Sequence, residues 1–152
     1  MARPKLVPRN PADYDQDFHS WTADQAARLR ASRPGGVDWE NLAEEIESLG
    51  RSDRRKIASN LAAVLEHLIK WKYQPEKRKG GWRSSIREHR DRIERILADS
   101  RSLARLPEEV LAAEYGRARR AALDDTGLAP SRIPVACPFT LAQVLDPAYL
   151  PD

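Results

Sequence analysis

Three histidines, one cysteine and a group of glutamates are the side chains through which this 152-residue chain could act on a substrate. His19, His67 and His89 could together hold a metal ion for hydrolysis or group transfer if all three faced one focus inside a helical bundle. Projection on helical wheels opposes that. His89 falls within the apolar stripe of its helix, His67 lies on a flank beside Asn60 and Trp71, and His19 is further off its stripe. Glu66–His67 and Glu88–His89 are adjacent pairs, about 100° apart on a helix, and not the Glu-x-x-His repeat of dinuclear bundle sites. A metal-dependent enzyme built on His67, His89 and Glu45 is therefore the third of three readings, and hydrogen-bonded, partly buried histidines are the alternative to it. Cys137 precedes Pro138 just ahead of an expected helix start, where amide groups could favour a thiolate, yet no histidine is near in sequence. The competing reading is a small buried residue. Glu40, Glu44 and Glu47 mark an outer, solvated flank of one helix. The glycine pairs at 35–36 and 80–81 lack the spacing of a phosphate loop. These residues favour a noncatalytic protein with no cofactor.

The stronger signal is charge. Between Lys70 and Arg95 stand ten basic residues against four acidic ones, so the modest net charge of +3 is concentrated in one stretch. Arg83, Arg87 and Arg90 line one flank of the fourth expected helix, next to the turn carrying Lys77, Arg78 and Lys79 and bracketed by Trp71, Tyr73 and Trp82. Such forks and rings suit carboxylates, phosphates and unstacked bases. Three meanings compete. Acidic neighbours, including Glu94 for Arg90, Glu88 for Arg92 and the glutamates of the second helix, could pair the charge internally. An acidic protein partner, or a second copy of the chain, could dock there. Nucleic acid could use the same surface. Four tryptophans favour an interface where any stays exposed beside arginine.

The elements that must carry these groups are helical. A first helix is expected near Asp15 or Asp17, with Phe18, Trp21, Ala26 and Leu29 on one face, ended by the ArgProGlyGly run at 33–36. Asp38 is placed to cap a second helix with the stripe Trp39, Leu42, Ala43, Ile46 and Leu49, and Gly50 to end it in a left-handed cap. A third, from Ser52 to Tyr73, carries Ile57, Leu61, Val64, Leu65, Leu68 and Trp71 and is the expected centre. The fourth presents Trp82, Ile86, Ile93, Ile96 and Leu97. The fifth begins near Pro107 with Leu111, Tyr115, Ala118 and Ala122 inward. Five prolines after residue 129 predict a strap that packs Ile133, Val135 and Phe139, with Thr140 and Gln143 boxing one short final helix.

Hydrophobic residues at 41% beside 32% charged support a folded core, and the length suits one domain. One cysteine excludes a disulfide framework. The N-terminus lacks the apolar run of a signal peptide and no stretch is long enough to span a bilayer, so a cytoplasmic protein without membrane contact is expected.

Taken in order, TyrAspGlnAspPheHisSerTrpThr at 14–22, TrpGluAsnLeuAlaGluGluIleGluSerLeuGly at 39–50, GluHisLeuIleLysTrpLysTyrGlnPro at 66–75, then Trp82, Ile86 and Arg90, and CysProPheThrLeuAlaGlnValLeu at 137–145 resemble the bacterial family known as domain of unknown function 29. The resemblance implies an all-helical bacterial cytosolic protein and supplies no activity. The expectation is thus an all-α, single-domain, mainly up-and-down bundle of four to five helices, with an arm at 1–14, the bundle at 15–123 and the strap at 124–152. Its expected role is an interaction module using Lys77, Arg78, Lys79, Arg83, Arg87 and Arg90, with Trp39, Leu61, Leu68, Trp71 and Trp82 holding the bundle.

Overall fold

A computed structural model describes residues 14–32, 35 and 38–152. The arm expected over residues 1–14 lies outside them except for Tyr14. Among the described residues five α-helices follow one another: α1 Phe18–Ser32, α2 Trp39–Tyr73, α3 Gly80–Asp99, α4 Leu106–Thr126 and α5 Leu141–Leu145. Among the described residues there is no strand, only an isolated antiparallel bridge between Asp17 and Ser100, so the all-α expectation holds.

The helix ends follow local chemistry. Asp17 opens α1, its carboxylate accepting from the Ser20 amide at 3.0 Å, and Asp38 does the same for α2 through the Asn41 amide at 3.2 Å. Pro107 sits in the first turn of α4, and Gly127 closes that helix at φ 67° with its amide on Leu123, a left-handed position suited to glycine. Thr140 and Gln143 form the reciprocal capping box read from the sequence.

One boundary is corrected. The second and third expected helices are a single 35-residue helix, α2, which runs straight through Gly50. No proline interrupts the following ArgSerAspArgArgLys run, and helix propagation adds a hydrogen bond per residue once a helix exists. Gly50 serves a close approach instead. A Cβ built there would lie 2.5 Å from Thr22 Oγ1 and 2.9 Å from His19 Nδ1.

Contacts group the chain into two compact units, the first reaching Arg55 and including Ile96–Ala104, the second made of Lys56–Arg95 and Arg105–Asp152. In the first, Thr22, Ala26, Ala43 and Leu103 are buried. Asp17 accepts from the Ser102 amide at 2.7 Å and its hydroxyl at 2.9 Å. Burial pushes the Asp17 carboxyl up, but the hydrogen bonds from Ser20 and Ser102 outweigh it and hold the group below its ordinary range. Leu42 and Leu49, expected inward, are 41% and 49% exposed.

In the second unit the apolar face of α2 is buried from Ile57 through Leu61, Val64, Leu65, Leu68 and Ile69 to Trp71, together with Trp82, Ile86 and Ile93 of α3 and Tyr115, Ala118 and Ala122 of α4. Each buried aliphatic side chain contributes about 1.5–3 kcal/mol, which makes this stripe the main apolar contribution. From the C-terminal segment Ile133, Phe139 and Val144 are buried, whereas Val135, expected to pack, is 82% exposed. The turn at Pro130–Arg132 explains the difference: Tyr115 Oη donates to the Pro134 carbonyl at 2.6 Å and Arg119 Nε to that of Ile133 at 3.0 Å, so backbone fastens this stretch while the Val135 side chain faces outward.

Candidate functional site

The basic stretch begins at the end of α2. Trp71 O is one of the carbonyls that a helix C-terminus leaves without an intrahelical donor. Arg78 Nε donates to it at 2.8 Å, and Arg78 Nη2 reaches the Pro151 carbonyl at 3.4 Å. The Arg78 guanidinium also lies 5.2 Å from the Trp71 ring centre, and that of Arg83 5.6 Å from the same ring. Trp82 has Lys70 Nζ and Lys79 Nζ each at 5.5 Å. Both indoles are buried, so the two tryptophans hold the fold and carry cations over their faces.

Lys70 is itself buried, donating to Glu66 at 3.0 Å and to Asp125 at 2.8 Å. Burial alone would lower its pKa, but the hydrogen bonds to Asp125 and Glu66 dominate and raise it, while the Asp125 carboxyl is held below its ordinary value by Lys70. It is a structural cation.

Arg90 is a second one. Expected on the surface beside Glu94, it is 6% exposed and turns toward the C-terminal segment. Its Nε donates to the Val144 carbonyl at 2.7 Å, Nη1 to Tyr149 at 3.0 Å and Nη2 to Gln143 at 3.1 Å. A planar fork that reaches three carbonyls at once is a task for arginine and not for lysine. The Glu88–Arg92 pair does form.

What remains outward is a smaller set. Lys77, Arg78, Lys79, Arg83 and Arg87 are exposed; among the described residues none of them forms an ion pair with a carboxylate, although the Lys79 charge helps to hold the Asp125 carboxyl low. The acidic flank of α2 is occupied elsewhere: Arg30 binds Glu40 at 2.9 Å and Glu47 at 3.0 Å, and Arg51 pairs with Glu44. These glutamates form an ion-paired network and not the freely solvated face expected.

A pocket of about 250 Å³ opens between α3 and the C-terminal segment. Arg83, Ile86, Arg87 and Arg90 line it from the helix, and Pro147, Ala148 and Leu150 from the opposite side. Sequence reasoning found the arginines and missed the last three residues. The signal available was the AspProAla turn, in which Asp146 accepts from the Ala148 amide at 2.8 Å.

The other candidates are not assembled into a site. Among the described residues no group of three His, Cys, Asp or Glu side chains is placed to hold a metal ion. His67 Nδ1 lies 2.8 Å from the Ala63 carbonyl, His89 Nδ1 2.6 Å from Asn60 Oδ1 and His19 Nδ1 3.1 Å from the Gly50 carbonyl. Glu45 is exposed in the first unit, whereas His67 and His89 belong to the second. Burial pushes the Cys137 thiol up, only partly opposed by a hydrogen bond from the Phe139 backbone, and Sγ donates to the Phe139 carbonyl at 3.3 Å, the reverse of an activated nucleophile. Tyr115 beside it is pushed up to about 12 by burial and by Cys137 and Tyr73.

The helices and the connections between them define an all-α protein. The chain belongs to the family of domain of unknown function DUF29, whose model matches residues 14–150. It is similar to an α-helical protein of unknown function from Rhodospirillum rubrum, with 27% sequence identity, a TM-score of 0.73, and coverage of 92% of this chain and 93% of that one. Comparison with curated proteins gives no match. No described helix is long and apolar enough to cross a membrane.

Proposed function

We propose that this protein is a noncatalytic interaction module that takes an acidic segment of a protein partner on the exposed face formed by Lys77, Lys79, Arg83 and Arg87. The observation that carries the reading is the pair Arg83 and Arg87, exposed on one side of α3 without a carboxylate partner among the described residues, in the lining of a pocket that also includes Ile86, Pro147, Ala148 and Leu150. A guanidinium fork favours carboxylates, and aliphatic residues beside it favour side chains over a sugar–phosphate chain.

Two features favour protein over nucleic acid. Base stacking needs accessible rings, and both Trp71 and Trp82 are buried under their own cations. Glu76, Glu88 and Glu94 are exposed within the same stretch and would repel a continuous phosphate backbone, while carboxylates spaced along a peptide can avoid them.

The test titrates untagged protein against a labelled twelve-residue acidic peptide and against labelled single- and double-stranded RNA and DNA, over a range of salt. Wild type and an Arg83→Glu, Arg87→Glu variant are compared, with circular dichroism as the check on folding. Peptide binding that weakens with salt and disappears in a fully helical variant supports the reading. Stronger binding to a nucleic acid, lost in the same variant, replaces it with the nucleic-acid reading; no binding at low salt overturns it.

A further inference from the structure

Resting on that reading, we infer that the pocket between α3 and the C-terminal segment is the anchor of the partner site, and that it recognises an acidic residue adjoining an aliphatic one in an extended peptide. Arg83 and Arg87 are four residues apart on α3, about one turn, so they share one face of the helix, and both line the pocket. The third arginine of the lining does not compete for a carboxylate. Arg90 directs its Nε, Nη1 and Nη2 to the carbonyls of Val144, Tyr149 and Gln143, so it leaves the pocket mainly its aliphatic stem.

The remaining lining is Ile86, Pro147, Ala148 and Leu150. All four are aliphatic residues, and the Ala148 amide is already taken by Asp146. Charged recognition therefore comes from the arginine pair, and the aliphatic residues beside it reward an apolar group.

Volume narrows the ligand further. At about 250 Å³ the space is smaller than the roughly 300–1,000 Å³ of sites that enclose drug-sized molecules. It suits one aliphatic side chain together with the carboxylate beside it, and is too small to enclose a nucleotide. Arg83 keeps its place through the Trp71 ring, which reduces the ordering that binding would otherwise require.

The experiment uses the full chain and two labelled twelve-residue peptides of equal charge, differing only in a central Glu-Leu or Glu-Gly step, read by fluorescence anisotropy. Wild type is expected to bind the leucine peptide about tenfold more tightly. Ala148 is exposed, so Ala148→Trp should fill the pocket without unfolding the chain and abolish that preference. If that variant loses helicity, Ala148→Leu is the smaller filling. Equal affinity for both peptides, with binding still lost in the Arg83→Glu, Arg87→Glu variant, overturns the pocket inference and leaves the acidic-partner reading standing. A preference that survives pocket filling also overturns it. Failure of both peptides to bind overturns both.

Discussion

His89 Nδ1 lies 2.6 Å from Asn60 Oδ1, a polar link between α3 and α2 in the second unit. Asn60 Nδ2 donates to the Lys56 carbonyl at 2.7 Å, which identifies Oδ1 as the acceptor and the imidazole as the donor. Protonation of the other ring nitrogen leaves this hydrogen bond intact. Burial, then the Arg92 charge, pull the His89 pKa down against Glu88, with His67 adding to the pull.

A pH dependence follows from the sign of that shift. Above the ordinary value of about 6.5 the imidazole is neutral in both folded and unfolded chains. As pH falls from there toward the depressed native value, the unfolded chain binds a proton that the folded one does not, so stability is lost. The melting temperature should decline between pH 7.5 and 5.5, and His89→Gln, whose amide can still donate to Asn60, should flatten the decline. An unchanged slope in the variant would assign the effect to another group.

Two helical glycines should respond in opposite directions to alanine. At Gly50 the new methyl would meet the buried Thr22 hydroxyl and the His19 ring, and Thr22 is fixed by donating to the His19 carbonyl at 2.8 Å. Overpacking of this kind costs about 1–3 kcal/mol, enough to exceed the gain in helix propensity of about 1 kcal/mol. At Gly116 the nearest atom is Arg120 Nη1 at 3.9 Å, so only the propensity gain remains. Thermal melts should show Gly50→Ala less stable and Gly116→Ala more stable than wild type.

The same contrast explains what was legible in the sequence. The α2 stripe from Ile57 to Trp71, the Asp38 cap, and the Thr140–Gln143 box follow from spacing and residue type, and all are present. Gly50 departs from the expected cap because a glycine after an apolar stripe is equally compatible with a cap and with a close approach, and only the neighbouring helix distinguishes them. Leu42 and Leu49 fit a helical stripe whose burial depends on a partner surface that periodicity does not contain. Charge clustering located Arg83 and Arg87, but a helical wheel cannot separate an outward arginine from Arg90, whose partners are carbonyls some 53–59 residues later in the chain. The apolar wall of Pro147, Ala148 and Leu150 was invisible for the same reason.

Cys137 provides a direct chemical test. Its thiol is raised by burial, and the thiolate is the species that reacts. Alkylation by iodoacetamide at pH 7.5 should be slower in the native chain than in urea-unfolded protein, where both access and ionisation are restored. Native labelling as fast as that of the unfolded chain would indicate an exposed or activated thiol and return the nucleophile reading to consideration.

Arg87 and Arg90, three residues apart on α3, should separate binding from stability. Arg87→Ala removes an exposed side chain with no ion pair among the described residues, and such surface changes usually stay within about 0.5 kcal/mol. Arg90→Ala removes three hydrogen bonds from a buried cation to carbonyls at Gln143, Val144 and Tyr149. A hydrogen bond to a charged group contributes about 1.5–3 kcal/mol, and because the three share one side chain and water can replace some of them, a net loss of about 2–4 kcal/mol is expected. Arg90→Lys should recover only part of it, since an ammonium lacks the planar fork. Hydrogen exchange would show where the loss falls: amides of α5 and the residues after it should lose protection in Arg90→Ala before those of α2 do. Uniform loss of protection across the second unit would mean that Arg90 supports the whole packed unit and not the C-terminal segment in particular.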